Sequence, residues 1–168
     1  MMIKPLIFIF LLFALQVEDL RNATVIDADT CTISAIGIGS SYEDVISALG
    51  EPASEPDLVE DPVPKEMVRM LEYEGVTVIL KFDLVTMISS ERSGVALHGG
   101  IGPDSTRTEL LAKLGESATD SFDVREAFVY RCGDTGTWLG QVMLTVVLEN
   151  ERVTSVTVMA DDELYQGE

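Results

Sequence analysis

Basic residues are scarce in this 168-residue chain: 11 Lys and Arg stand against 29 Asp and Glu, a formal net charge of −18. Nucleic-acid binding depends on clustered Lys and Arg that release counterions from phosphates, and the sequence has no such cluster. The same shortage argues against docking on an anionic lipid surface. His98 is the only histidine, and the two cysteines, Cys31 and Cys132, lie far apart, so no zinc-ligand spacing is present. Aromatic residues make up 7% of the chain, with Trp138 the single tryptophan. No apolar run reaches the roughly 20 residues of a membrane-spanning helix.

Motifs of catalysis are equally thin. No serine sits in a Gly-x-Ser-x-Gly turn. Gly37-Ile38-Gly39 precedes a helical pattern but lacks the third glycine and the lysine of a phosphate loop. The acidic stretch from Glu51 to Glu66 lacks the alternating ligands and central glycine of a calcium loop. Asp134-Thr-Gly-Thr137 has the residues of an aspartic-protease loop, yet Arg131-Cys132-Gly133 precedes it and no second copy exists. Glycines on both sides of Asp-Thr read as a hairpin turn. No catalytic residue, metal ligand or cofactor is therefore expected, and the chain is read as a non-enzyme.

What is present begins with a charged start, Lys4, and a short apolar run from Leu6 to Leu15. This reads as a secretory signal peptide over residues 1–23 with an ill-defined cleavage site. An uncleaved anchor is the alternative; after cleavage no membrane span would remain. Cys31 is too far from the run for a lipid-modified cysteine. Removing residues 1–23 takes away Lys4, Arg21, Glu18 and Asp19 and leaves the charge at −18. Such charge either steers a basic partner or keeps an exported domain soluble. Export permits a Cys31–Cys132 disulfide, which would close a loop of about a hundred residues and contribute on the order of 4–5 kcal/mol. Two unpaired thiols are the alternative.

The strongest internal signal is a repeat. Ile36 to Glu51 lies over Ile101 to Glu116 at a constant offset of 65. Ser41 and Thr106 fall at helix N-caps, with Asp44 and Glu109 three residues on. Val45, Ile46 and Leu49 share one helical face, as do Leu110, Leu111 and Leu114. Gly50 and Gly115 follow as C-terminal stops. Val76 to Phe82 then lies over Val142 to Leu148 at offset 66, each alternating as a strand. A further strand follows each, Val85 to Ser89 and Val153 to Met159, with the second hairpin expected to be two residues longer. Duplication is the reading: a first repeat over residues 31–90, a second over 95–160, and an acidic tail over 161–168.

The pattern Ser/Thr-x-x-Asp/Glu-Val/Leu-x-x-x-Leu-Gly-Glu, followed by an aromatic strand and a strand such as Val76 to Phe82, resembles the SmpA/OmlA unit of bacterial envelope lipoproteins. Two in tandem behind a signal peptide resemble the β-lactamase-inhibitor-protein-like (BLIP-like) architecture, over about residues 31–160. The resemblance implies an α+β fold of two tandem helix-plus-antiparallel-sheet repeats, with one curved sheet, helices on one face and a partner protein clasped on the other.

Strand alternation nominates the residues of that second face. The wholly apolar parity should meet the helices. The other parity carries Thr77, Ile79 and Lys81 in one strand and Met143, Thr145 and Val147 in its counterpart. It is mixed rather than charged, which is unusual on so acidic a chain, and interfaces are depleted of charge at their centre. Trp138 is a candidate rim anchor. Either this face binds a protein or peptide of neutral or basic surface, or the chain itself or a second copy covers it. The function expected is a secreted or periplasmic protein-binding module, an inhibitor being one form of it. The alternatives are an envelope-assembly structural protein and a hydrolase built around Asp134 or His98.

Overall fold

The computed structural model describes residues 22–56, 68–122, 125–133 and 141–160. The leader, most of the acidic Pro-rich stretch, Asp134, Trp138 and the acidic tail lie outside the described residues. In chain order the elements are β1 (Val25–Ile26), a 3-10 turn (Ala28–Cys31), α1 (Tyr42–Leu49), β2 (Val68–Tyr73), β3 (Val76–Lys81), β4 (Leu84–Ser90), α2 (Arg107–Leu114), β5 (Ala118–Phe122), β6 (Arg125–Cys132), β7 (Val142–Glu149) and β8 (Arg152–Ala160).

The strands form one eight-stranded sheet in the order β1-β6-β7-β8-β4-β3-β2, with β5 also beside β6. The sheet is mixed, because β1 runs parallel to β6 through Val25–Arg131 and Ile26–Cys132 while the other pairs are antiparallel. The expected fold of two tandem helix-plus-antiparallel-sheet repeats is corrected by this topology. The described chain is mostly strand, and its two α-helices have eight residues each. β4 and β8 pair directly from Met87–Met159 to Ser90–Val156, so one sheet runs without a break through both halves of the chain. A parallel strand drawn in from the N-terminal segment makes the sheet mixed.

The helices are short because both ends are closed by local chemistry. The Ser41 hydroxyl accepts from the Asp44 N–H at 3.1 Å, and the Asp44 carboxylate accepts from the Ser41 N–H at 2.8 Å. Thr106 and Glu109 repeat this reciprocal box at 3.2 and 2.7 Å. At the other end Gly50 and Gly115 take φ of 81° and 77°, where a β-carbon is disfavoured.

Each helix start is held by a hairpin. The Tyr42 N–H donates to the Asp83 carbonyl and the Arg107 N–H to the Glu151 carbonyl, both at 3.0 Å. These bonds satisfy amides that a helix leaves unpaired in its first turn. The two hairpins have the same length, with two-residue turns at Phe82-Asp83 and Asn150-Glu151, all four residues at positive φ. The expected longer second hairpin is thus corrected; tight turns with positive φ match the twist of the flanking strands.

One core lies between the helices and one sheet face. Val45 and Leu110 from the helices meet Val78, Leu80, Ile88, Leu144, Val146, Val156 and Val158, all fully buried. Cys31 and Cys132 belong to this core and form a disulfide with Cα atoms 6.2 Å apart. It ties the 3-10 turn to the end of β6, beside the parallel strand β1.

Candidate binding face

The face away from the helices is built by strand registry. Ile79 stands opposite Met70 on one side and Met87 on the other. Met87 stands opposite Met159, and Met159 opposite Met143. Directly opposed residues share a face, so Met70, Ile79, Met87, Met159 and Met143 form one apolar row across five adjacent strands. None of them belongs to the core cluster. Ile79, Met143 and Met159 are half-buried, whereas Met70 and Met87 are buried. Arg131 continues the row beyond Met143, its guanidinium donating to the Ala23 carbonyl at 3.2 Å.

A second row runs beside the first. Thr77 opposes Ser89, Ser89 opposes Thr157, and Thr157 opposes Thr145. The Ser89 and Thr157 hydroxyls are 2.9 Å apart and hydrogen-bonded. Ser155, next along β8 on this face, is 4% exposed, and its hydroxyl has no partner among the described residues. The centre of the face is uncharged, which sets it apart on a chain of charge −18. Charge sits at its margins, with Glu72 opposite Thr77 and Arg131 opposite Met143, and on the helix side and at the hairpins. Arg69 stacks over the Tyr42 ring at 3.8 Å and pairs with Glu55 at 2.9 Å. Arg107 pairs with Glu126 at 2.6 Å.

The residues nominated by alternation are thus only partly brought together. Ile79 and Met143 share the methionine row, and Thr77 and Thr145 share the hydroxyl row. Lys81 and Val147 lie on opposite sides of these rows, because β3 and β7 run in opposite directions along the sheet. Lys81 faces Leu84 next to the hairpin tip, and Val147 faces Ser155. Trp138 and Asp134 lie outside the described residues. His98 is exposed, with its backbone N–H on the Thr32 carbonyl at 2.9 Å.

Sequence alternation missed Met87 and Met159 for a physical reason. The registry slips between Ile79 and Leu80 in the β3–β4 pair and between Val147 and Leu148 in the β7–β8 pair. These bulges insert one residue and invert the parity beyond them. Val85 and Ile88 are both core residues, as are Val153 and Val156. Simple alternation from Val85 or Val153 would place Met87 and Met159 in the core. Thr86 and Thr154 mark the slips, their hydroxyls donating across to the Ile79 and Val147 carbonyls at 3.4 and 3.3 Å.

Phe82 was also missed. It is 49% exposed at the tip of the β3–β4 hairpin, with φ of 51°. A bulky side chain rarely takes that backbone conformation.

No protein-family model matches the chain, and no curated protein matches it in sequence. Solved structures share its fold. An extracellular protein of Bacillus anthracis containing an SCP domain superposes with a TM-score of 0.51 at 14% identity, over 83% of this chain and 49% of its own. A cysteine-rich secretory protein of Staphylococcus aureus superposes with a TM-score of 0.55 at 11% identity, over 85% of this chain and 52% of its own. The chain therefore spans about half the length of these two neighbours. A candidate β-lactamase inhibitor protein of Streptococcus mutans aligns over 95% of this chain and 99% of its own, at 14% identity and a TM-score of 0.30.

Proposed function

We propose that this chain is an exported protein-binding module that acts without catalysis and engages its partner through the sheet face opposite the helices. The methionine row carries the reading. Interfaces favour methionine and are depleted of charge at their centre, and this face collects Met70, Met87, Met159 and Met143 on a chain of net charge −18. The Cys31–Cys132 disulfide supports export, since such bonds persist in oxidising compartments. The two neighbours that share the fold are an extracellular and a secretory protein, which agrees with that placement. The net charge favours a partner of neutral or basic surface.

Affinity capture tests the reading. The protein as exported by its source is immobilised and exposed to extracellular and envelope fractions. A parallel column carries Met143→Glu/Met159→Glu protein shown to be folded by circular dichroism. A near-stoichiometric protein retained by the first column and lost from the second is the expected result. A partner held equally by both would move the site off this face.

A further inference from the structure

We propose that the segment from Ala23 to Cys31 is a strap latched by the Cys31–Cys132 disulfide, closed over the end of β6 in the oxidised protein and open in the reduced one. One side of β6 pairs with β7, and its other side is shared. β5 covers that side from Arg125 to Val129, and β1 covers it from Arg131 to Cys132. The Ser117 hydroxyl stands at the seam, donating to the Val129 carbonyl and accepting from the Thr24 N–H. The strap supplies the acceptors for the rest of the edge. The Thr24 carbonyl accepts from the Arg131 N–H at 2.9 Å, and the Ile26 carbonyl from the Gly133 N–H at 2.8 Å. Gly133 allows this approach, since a β-carbon there would stand 3.3 Å from the Ile26 carbonyl oxygen.

Little besides these bonds holds the strap between its ends. None of the side chains from Thr24 to Thr30 is buried, and Val25 is 57% exposed. The net contribution of a backbone hydrogen bond is similar in size to the entropy cost of ordering the residue that makes it. Asp27 and Asp29 add negative charge to a chain of −18, and the strap has no basic residue to offset them. Beyond Cys31 the anchoring changes, because Ile33 and Ile36 are buried in the core. A hinge at Thr32 therefore leaves the core in place when the strap opens.

The latch closes by thiol–disulfide exchange. The Cys31 and Cys132 thiols give up two protons and two electrons to a disulfide-bearing oxidant, an S–S bond forms between them, and the oxidant leaves as two thiols. An exported chain meets oxidising conditions only after it leaves the reducing compartment of its synthesis, so closure follows export. Once closed, each cysteine is only 2% exposed, and the strap shields its own bond from reductants. The end of the β6 edge is thus completed by oxidation, whereas the core beneath it is not.

NMR relaxation and amide exchange on the full exported protein test the proposal. Three forms are compared: oxidised wild type, wild type unfolded and refolded in a dithiol reductant, and Cys31→Ala/Cys132→Ala protein. In the oxidised form the backbone of residues 23–30 should show order parameters of about 0.85, with the Arg131 and Gly133 amides protected. In the other two forms the same residues should fall below about 0.6. Protection of the Arg131 and Gly133 amides should drop by about tenfold or more beyond any change at Val146 and Val156, which lie in the central strands β7 and β8.

A strap that stays rigid in the reduced protein would show that the disulfide is not its latch. Unprotected Arg131 and Gly133 amides in the oxidised wild type would show that no closed state exists, and that measurement needs no variant. Equal loss of protection at Val146 and Val156 would assign the link to the whole fold. So would a failure of the reduced and variant proteins to fold. Each of these results overturns the proposal.

Discussion

Met87 and Met159 stand directly opposite each other where β4 meets β8, the one pairing that joins the β2–β4 strands to the β6–β8 strands. Their side chains lie on the face away from α1 and α2, although their neighbours Ile88 and Val158 are fully buried in the core beneath. Two residues brought together over 72 positions of sequence thus mark both the middle of the sheet and the middle of the candidate site.

The two faces can be told apart by paired substitutions on single strands. Ile79→Asp and Met143→Asp place a charge on half-buried outer positions, whereas Val78→Asp and Leu144→Asp place it at positions with 0% exposure. The core pair should lose about 4 kcal/mol or more each, since a buried unpaired charge is among the costliest changes. The outer pair should remain folded. Urea denaturation checks this, and unfolding of Ile79→Asp or Met143→Asp would show these residues to be core.

Short-range chemistry was legible in the sequence. Ser41 and Thr106 cap helices because a hydroxyl reaches an amide three residues on, and that geometry needs no knowledge of the rest of the fold. Apolar alternation in Val76–Lys81 likewise separated Ile79 from Val78 and Leu80. Long-range features were not legible. The β4–β8 pairing leaves no local pattern, and the bulges reverse the parity by which Met87 and Met159 would have been sorted. β5 reads Ala-Thr-Asp-Ser-Phe, too polar for an alternating strand signal. β1 is a two-residue segment whose pairing to β6 depends on contacts over a hundred residues away in sequence.

The β3–β4 turn should show a trade between stability and binding. Phe82 is half exposed at φ of 51°, a conformation in which Asn is far better tolerated. Phe82→Asn should therefore stabilise the free protein by about 1 kcal/mol through relief of backbone strain. If Phe82 anchors a partner at the end of the face, the same change weakens capture. A thermal melt paired with the capture assay measures both, and a lower melting temperature would remove the strain argument.

Ser155 is a position where less polarity should help. Its hydroxyl is buried without a partner among the described residues. Ser155→Ala removes an unsatisfied group and should be neutral or stabilising by about 1 kcal/mol. A loss of that size in urea denaturation would mean that the hydroxyl holds a bond, to water or to another group.

The disulfide should carry much of the stability. Cys31 and Cys132 are 101 residues apart, and a loop of that length contributes about 4–5 kcal/mol in the chain-entropy account. The Cys31→Ala/Cys132→Ala protein should unfold at much lower urea than the oxidised wild type and match the reduced wild type. Coincident curves for oxidised and reduced protein would show that the link constrains little.

Alkaline pH offers a separate probe of the α2 end of the core. The Tyr130 ring is fully buried, and its hydroxyl donates to the Gly115 carbonyl at 2.9 Å. Burial, reinforced by the nearby Glu116 carboxylate, pushes its pKa up to about 12. Tyrosine is charged only when deprotonated, so a raised folded value means that the native state holds the proton more tightly. The resulting stability is fully present below the unfolded value of about 10, and it is lost as pH rises through about 12. Tyr73, whose hydroxyl meets the Gly50 carbonyl, is also shifted up by burial, so the two must be separated by substitution. Absorbance titration of wild-type and Tyr130→Phe protein should show a late ionisation present in the first and absent in the second. Tyr130→Phe should also flatten the decline of stability between roughly pH 10 and 12, the interval between the unfolded and folded pKa values. A titration in which the variant keeps the late step would show that Tyr130 is not the residue held neutral there.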